Sequence, residues 1–153
     1  METNNMDCKA IMQLLYKESG LLSLSGGISA DMRELEASAS PKAQLAIDIF
    51  CYKIGAWIGT LAAELQGLDG IVFTAGIGEN SSLVREKVCG YAAWLGAQLD
   101  PVKNAHHEPA IHTQNSRLAL HVIPTNEELM IAEDTLKYLK AIQIQEKLVL
   151  EIF

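Results

Sequence analysis

Three short stretches of the chain carry groups suited to binding a ligand at the end of a regular element. In "GIVFTAGIGENSSLVRE", Gly70 to Glu86, apolar β-leaning residues run into Thr74-Ala75-Gly76-Ile77-Gly78-Glu79-Asn80, and a helical pattern follows at once. A strand that delivers glycines to a helix N-terminus presents N–H groups and a positive dipole end, and glycine lets a ligand come close to the backbone. The stretch is neither GxGxxG nor a Walker A loop, and it has no lysine for β/γ-phosphates. An ordinary βα turn with Asn80 or Ser81 as N-cap uses the same residues, so spacing alone leaves nucleotide contact and plain capping both open.

A second stretch, "IPTNEE", Ile123 to Glu128, closes an apolar run. Thr125 and Glu128 fit a capping box, T-x-x-E, which leaves Glu127 on another side of the first helical turn. Ligands of open parallel sheets bind beyond the C-terminal ends of the strands, where Glu127 could hold Mg²⁺ directly or through water. A solvated glutamate favoured by the helix dipole is the alternative. The third stretch, "SADMRELE", Ser29 to Glu36, sets Asp31 and Arg33 at the start of a short helix. Arg33 can stack on a purine or pair with an acid, or simply stay in solvent.

Other chemistry-bearing residues give no constellation. His106 and His107 sit beside Glu108, while His112 and His121 stand singly. No spacing resembles a zinc site or a nucleophile–base pair, so all four read as structural or solvent-facing. Cys8, Cys51 and Cys89 are widely separated and form no CxxC, as expected of reduced thiols. Arg85, Glu86 and Lys87 read as a solvated helix face.

The elements that must position these groups follow from periodicity. Residues 6–19 read as a helix stopped by Gly20, with Ile11, Leu14 and Leu15 at helical spacing. Ala30 to Glu36 reads as a short helix. Ser40-Pro41 opens a long one, Pro41 to Gln66, with Leu45, Ile49, Trp57, Leu61 and Leu65 along its apolar face and Gly67 as its stop. Ile71 to Thr74 is expected to be a strand buried on both faces. Ser81 to Gly96 is a second amphipathic helix, with Leu83, Val84, Val88, Tyr91, Ala92 and Leu95 inward. "RLALHVIP" then reads as a strand and "TNEELMIAEDTLKYLKAI" as a helix. Strand, helix, strand, helix implies an α/β class with a parallel unit. Two strands are clear, and a third arises if Ala110 to Thr113 pairs back. So small a parallel sheet looks like part of something larger, and uncovered apolar surface would favour a homo-oligomer.

Bulk properties narrow the partners. At 153 residues the chain amounts to one domain's worth, read as a single partial domain with residues 140–153 as an unassigned tail. A formal net charge of −7 without a basic stripe argues against nucleic acid. The apolar run Ile54 to Ala63 is too short to span a bilayer, and "METNNMDCKA" has no signal-peptide pattern, so a cytoplasmic protein without membrane contact is expected.

Taken together, "GLLSLSGGISADMRELE", "DGIVFTAGIGENSSLVRE" and "VIPTNEELMIAEDT" resemble the acetate kinase family, propionate kinases included, in order and spacing. The intervening long helix also fits, and the resemblance covers roughly Asp7 to Leu139. It implies the C-terminal portion of an actin/hexokinase/Hsp70-type, ribonuclease H-like domain, helix-rich with a small, mainly parallel sheet. It implies ATP/ADP and Mg²⁺ as cofactors, a short-chain carboxylate as phosphoryl acceptor, and the reaction ATP + acetate ⇌ ADP + acetyl phosphate. Gly76, Ile77, Gly78 and Asn80, with Glu79 beside them, match the adenosine-binding turn. Asp31, Met32 and Arg33 match an Asp-aromatic-Arg segment of the adenine and ribose pocket, with Met32 in place of the aromatic. Glu127 matches a glutamate of the Mg²⁺ site. "SGGIS" carries one residue more than the usual loop. The family's phosphate loops, carboxylate-binding arginines, aspartate and histidine have no counterpart in these residues. The chain alone is therefore expected to be inactive, and a non-catalytic module that self-associates or complements an N-terminal half is the alternative.

Overall fold

The computed structural model describes residues 6–150, and for Glu127, Ala141 and 143–150 the backbone alone. The chain divides into two compact units, Met1–Ile123 and Pro124–Phe153. In the first, α1 (Cys8–Gln13) runs into a π-helical turn (Leu14–Glu18), and Gly20, at φ 68°, ends it. Leu14 and Leu15 stand exposed there.

Next come α2 (Leu21–Leu24), α3 (Met32–Ala37) and α4 (Pro41–Glu64). Ser40 caps α4 through the Lys42 N–H, with Pro41 at its first position, as the Ser-Pro pair predicts. The strand β1 (Gly70–Phe73) leads to α5 (Ala75–Asn80) and α6 (Ser82–Tyr91), and a 3₁₀ turn (Ala93–Leu95) follows. After α7 (Pro101–Ala105), β2 (Ala119–Val122) completes the sheet.

β1 and β2 pair in parallel, Gly70 opposite Ala119 and Phe73 opposite Val122. Ile71, Phe73, Leu120 and Val122 share the face turned to the core, whereas Val72 on the other face is 54% exposed. The expected burial of β1 on both faces is therefore corrected: one face packs and the other is open. Residues 110–113 do fold back, as isolated antiparallel bridges (Leu99 to His112, Ala110 to His121) rather than a third strand.

The core gathers Leu35, Ile47, Cys51, Val84, Val88, Ile111 and Leu120 with their neighbours. α4 buries Ala43, Ala46, Ile47, Cys51, Gly55 and Ala62, most of them small. Leu45, Trp57, Leu61 and Leu65, expected inward, are exposed. Apolar residues occur on several sides of α4, so periodicity offers more than one face, and the face that packs joins Ala46, Cys51, Gly55 and Ala62 to the larger Ile47, with Phe50, Ile54 and Ile58 at its margin. α4 is also the one helix among the described residues long and apolar enough to cross a membrane by length and composition.

α6 buries Val84, Val88 and Ala92 as predicted, with Tyr91 left 42% exposed. In the second unit, α8 (Glu127–Leu150) is longer than the sequence pattern implied and takes in most of the unassigned tail. Asn126 Oδ1 accepts from the Leu129 N–H at 2.9 Å, so the cap lies at Asn126, one residue beyond the expected Thr125.

Candidate functional site

The glycine stretch does not run from strand straight into the long helix. Thr74-Ala75 turns sharply, with Ala75 at φ 58°, a left-handed conformation that costs a non-glycine residue of order 1–3 kcal/mol. Ala75 to Asn80 form the short helix α5, which places both glycines inside a helix rather than in a turn. Gly76 faces open space. Gly78 lies against the end of β1, where a Cβ would come within 3.1 Å of the Phe73 carbonyl carbon. Ile77 packs against the core from its margin.

Six residues with two glycines cannot hold a helix by themselves. Four consecutive carbonyls of α5, Gly76 to Glu79, are answered from Asn80 and the residues after it. Asn80 Nδ2 donates to Gly76 O (2.8 Å) and Ser81 N–H to Ile77 O (2.9 Å). Arg85 Nη1 donates to both Gly78 O and Glu79 O at 2.8 Å.

Arg85 was expected in solvent, yet it is fully buried. Its Nε donates to Asn104 Oδ1 (2.7 Å), and its Nη2 to Asn104 O (2.9 Å) and to His107 Nδ1 (3.1 Å). A guanidinium has five N–H groups: four meet oxygens here, and the fifth finds an acceptor in His107 Nδ1 when that nitrogen carries no proton. Burial pushes the Arg85 pKa below its ordinary value. Asn104 is itself buried and donates through Nδ2 to Ser82 O at 2.9 Å. His107 is exposed, and its Nδ1 also lies 3.0 Å from Glu79 O. That single nitrogen can accept from Arg85 or, when it carries a proton, donate to Glu79, but not both.

The second element of the site is the loop before α3. It leaves α2 through a Schellman turn, in which Gly27 N–H reaches Leu22 O (2.8 Å) and Gly26 N–H reaches Ser23 O (2.9 Å), with both glycines at positive φ. The buried Ser25 hydroxyl lies between Leu22 O (3.0 Å) and Ser29 O (3.2 Å). Ser29 Oγ in turn accepts from the Asp31 N–H at 2.9 Å. Asp31 caps α3 through the Arg33 N–H and holds the Arg33 side chain in a two-point pair, at 2.6 and 3.2 Å. The hydrogen bonds from Arg33 keep the Asp31 carboxyl below its usual pKa, while the guanidinium stays 86% exposed.

These two elements meet. Asp31, Arg33, Gly76 and Asn80 line one cavity of about 490 Å³. Ser81 Oγ, which caps α6 through the Val84 N–H, also donates to the Glu36 carboxylate at the far end of α3. That bond ties α3, which opens with Asp31 as its cap and Arg33 in its first turn, to the turn carrying Asn80. Met32, between Asp31 and Arg33 in sequence, is not among the residues lining the cavity; it is 4% exposed and packs in the core. The Glu127 side chain lies outside the described residues. Among the described residues, no three His, Cys, Asp or Glu side chains come together as a metal site.

Two contributors escape sequence reasoning. Glu36 carries no signal in an acidic helix. Arg85 carries one, because Ser81, Arg85, Val88 and Ala92 form a single helical stripe that is otherwise buried.

The model of the acetokinase family matches residues 1–133. The acetate kinase of Nitrobacter hamburgensis is 56% identical over 125 residues, covering 82% of this chain and 31% of that protein. That of Rickettsia akari is 48% identical over 139 residues, covering 91% and 36%. Among solved structures, Porphyromonas gingivalis acetate kinase superposes with a TM-score of 0.82 at 36% identity, over 91% of this chain and 36% of that one. A propionate kinase from Francisella tularensis gives 0.78 at 37% identity, over 86% and 34%. The chain thus spans about a third of the length of the relatives it matches, and it carries part of an actin/hexokinase-type fold. With three segments in family order and a shared fold, the chain belongs to the acetokinase family.

Proposed function

We propose that these 153 residues form the C-terminal, nucleotide-binding portion of an acetate or propionate kinase, whose reaction would be ATP + acetate ⇌ ADP + acetyl phosphate. The observation that carries this reading is the cavity in which Asp31, Arg33, Gly76 and Asn80 meet. An exposed guanidinium oriented by a carboxylate suits the face of a purine. Asn80 donates to Gly76 O, and its Oδ1 remains as an acceptor for a base amine or a ribose hydroxyl. Gly76, with open space where a side chain would be, lets the ligand approach the backbone. This chemistry fits the adenosine end of ATP or ADP, with Ile77, Gly78 and Glu79 shaping the turn.

Phosphoryl transfer depends on neutralising and aligning the γ-phosphoryl oxygens, and the described residues of this cavity offer one arginine and no metal cluster. Mg²⁺, with Glu127 as its candidate ligand, enters only through the family reaction, and no step is routed through it. The carboxylate site would belong to the length of the relatives that this chain does not span. Calorimetry with ADP tests the reading: binding to the wild type should weaken in Asn80→Ala and Arg33→Ala, and equal affinity in all three sinks it. The chain alone should make no acetyl phosphate, so a positive hydroxamate assay would contradict this assignment.

A second reading has its own observation. Trp57, Leu65 and Trp94 are 64%, 68% and 69% exposed, a lot of large apolar surface to leave in water. It favours a non-catalytic module that self-associates or docks on a separate N-terminal half; a concentration-independent monomer in sedimentation counts against it. Either reading places the protein in the cytoplasm, and partition into membranes on fractionation would contradict both.

A further inference from the structure

We infer that Arg85 is a positioning residue for the nucleotide turn: its guanidinium, anchored on Asn104 and His107, holds α5 in the conformation that presents Gly76 and Asn80 to the cavity. The inference rests on the nucleotide reading of that cavity, and it adds residues that touch no ligand.

The argument is one of donors and reach. Arg85 lies beneath the turn, fully buried, while Gly76 and Asn80 sit exposed above it. Its Nη1 closes two carbonyls in the last turn of α5, Gly78 O and Glu79 O. Its Nε and Nη2 are fixed on the side-chain and main-chain oxygens of Asn104, which is locked in turn to Ser82 O. α5, α6 and α7 are thus joined at one planar group. A lysine has three donors at one point and cannot span both sides of that junction. Without the group, the part-buried Gly78 O loses the Arg85 donor and Glu79 O loses one of its neighbours, and a two-glycine helix has no intrinsic reason to persist.

If the turn is then correctly formed only a tenth of the time, apparent nucleotide affinity falls about tenfold with no contact to the ligand removed. His107 reaches the same junction from solvent, through Nδ1 alone, so His107→Ala perturbs it without opening the core.

The test uses the full chain as wild type, Arg85→Lys and His107→Ala. ADP binding is measured by calorimetry, and site-resolved amide exchange is followed without nucleotide. Arg85→Lys should weaken ADP at least about tenfold and His107→Ala by less, as expected when the competent fraction falls. In both variants exchange should rise across residues 76–81 while the β1 and β2 amides hold their protection. A purely structural role would raise exchange everywhere in proportion to lost stability.

Unchanged ADP affinity in a folded Arg85→Lys protein overturns the inference, and so does a uniform rise in exchange. Should Arg85→Lys fail to fold, His107→Ala decides: a local rise at 76–81 supports the inference, and an unchanged pattern overturns it. Should the wild type bind no ADP, the nucleotide reading fails separately, and exchange at 76–81 alone supports or overturns the positioning role.

Discussion

Two alanine substitutions one helical turn apart on α4 should have opposite effects. A Cβ built on Gly55 would lie 2.5 Å from Tyr91 Cβ and 2.7 Å from its Cγ. Neither atom is the loose end of a side chain, so relief requires α4 and α6 to separate by roughly 1 Å, the shortfall from an ordinary carbon–carbon contact. That separation would loosen Cys51, Val88 and Ala92, all of which are fully buried. Overpacking costs typically 1–3 kcal/mol, and an overlap this deep against Cβ and Cγ belongs in the upper half, about 2–3 kcal/mol, against a gain of about 1 kcal/mol for replacing a mid-helix glycine. Gly55→Ala should therefore lose about 1–2 kcal/mol net, a fall of several degrees in Tm for a chain of this size. A Cβ on Gly59 meets nothing nearer than Trp94 at 3.9 Å. Gly59→Ala should accordingly gain up to about 1 kcal/mol from helix propensity alone. Urea unfolding followed at 222 nm, with m held constant across the three proteins, measures both. A Gly55→Ala protein as stable as wild type, or equal losses at the two positions, would refute the proposed packing of α4 on α6.

Other consequences are open to simpler measurement. Ser81→Ala removes the α6 cap and the bond to Glu36 together, and should cost about 1–2 kcal/mol in urea and weaken ADP binding. Glu36→Gln, which keeps the cap, should preserve most of the stability. Burial pushes Cys51 up to about 11 and Cys89 up to about 12, while Cys8 is exposed, so Ellman's reagent should titrate one thiol quickly in native protein and three after unfolding. A second fast thiol would count against the packing of α4 or α6. Arg33 lowers the Asp31 pKa, so the stability from that pair is full above the ordinary value of 3.8 and is lost as pH falls through the lower folded value. The stability gap between wild type and Asp31→Asn should stay flat near neutrality and close in acid, and a gap that widens on acidification would contradict the pairing.

Much of the scaffold was legible because its signals are local. Ser40-Pro41 fixed the start of α4, Gly67 marked its end within three residues, and the glycine-bounded run Ile71 to Phe73 announced β1. The meeting of Asp31, Arg33, Gly76 and Asn80 came from family resemblance rather than from spacing, since no period links positions that far apart. The inward face of α4 was misread because periodicity detects amphipathicity, and a helix apolar on several sides has little of it. α5 reads from sequence as a βα turn because its glycines disfavour helix and its stabilising partners lie elsewhere in the chain. Arg85 was read as solvated because a charge on a short helix usually is; its burial follows from carbonyls that sequence cannot bring to it.

The bonds that close α5 bear on when the turn can form. Gly78 O and Glu79 O are met by Arg85, seven and six residues on, and Glu79 O also faces His107, 28 residues on. During synthesis, a chain that has emerged only as far as Tyr91 would already contain "TAGIGEN" and all of α4, yet the anchor on Asn104 would not exist. The turn should thus be among the later parts of this unit to mature, after α7 has docked, and be among the first to loosen when residues 101–107 are disturbed. A change in that outlying segment could then silence the cavity while every residue lining it remains intact.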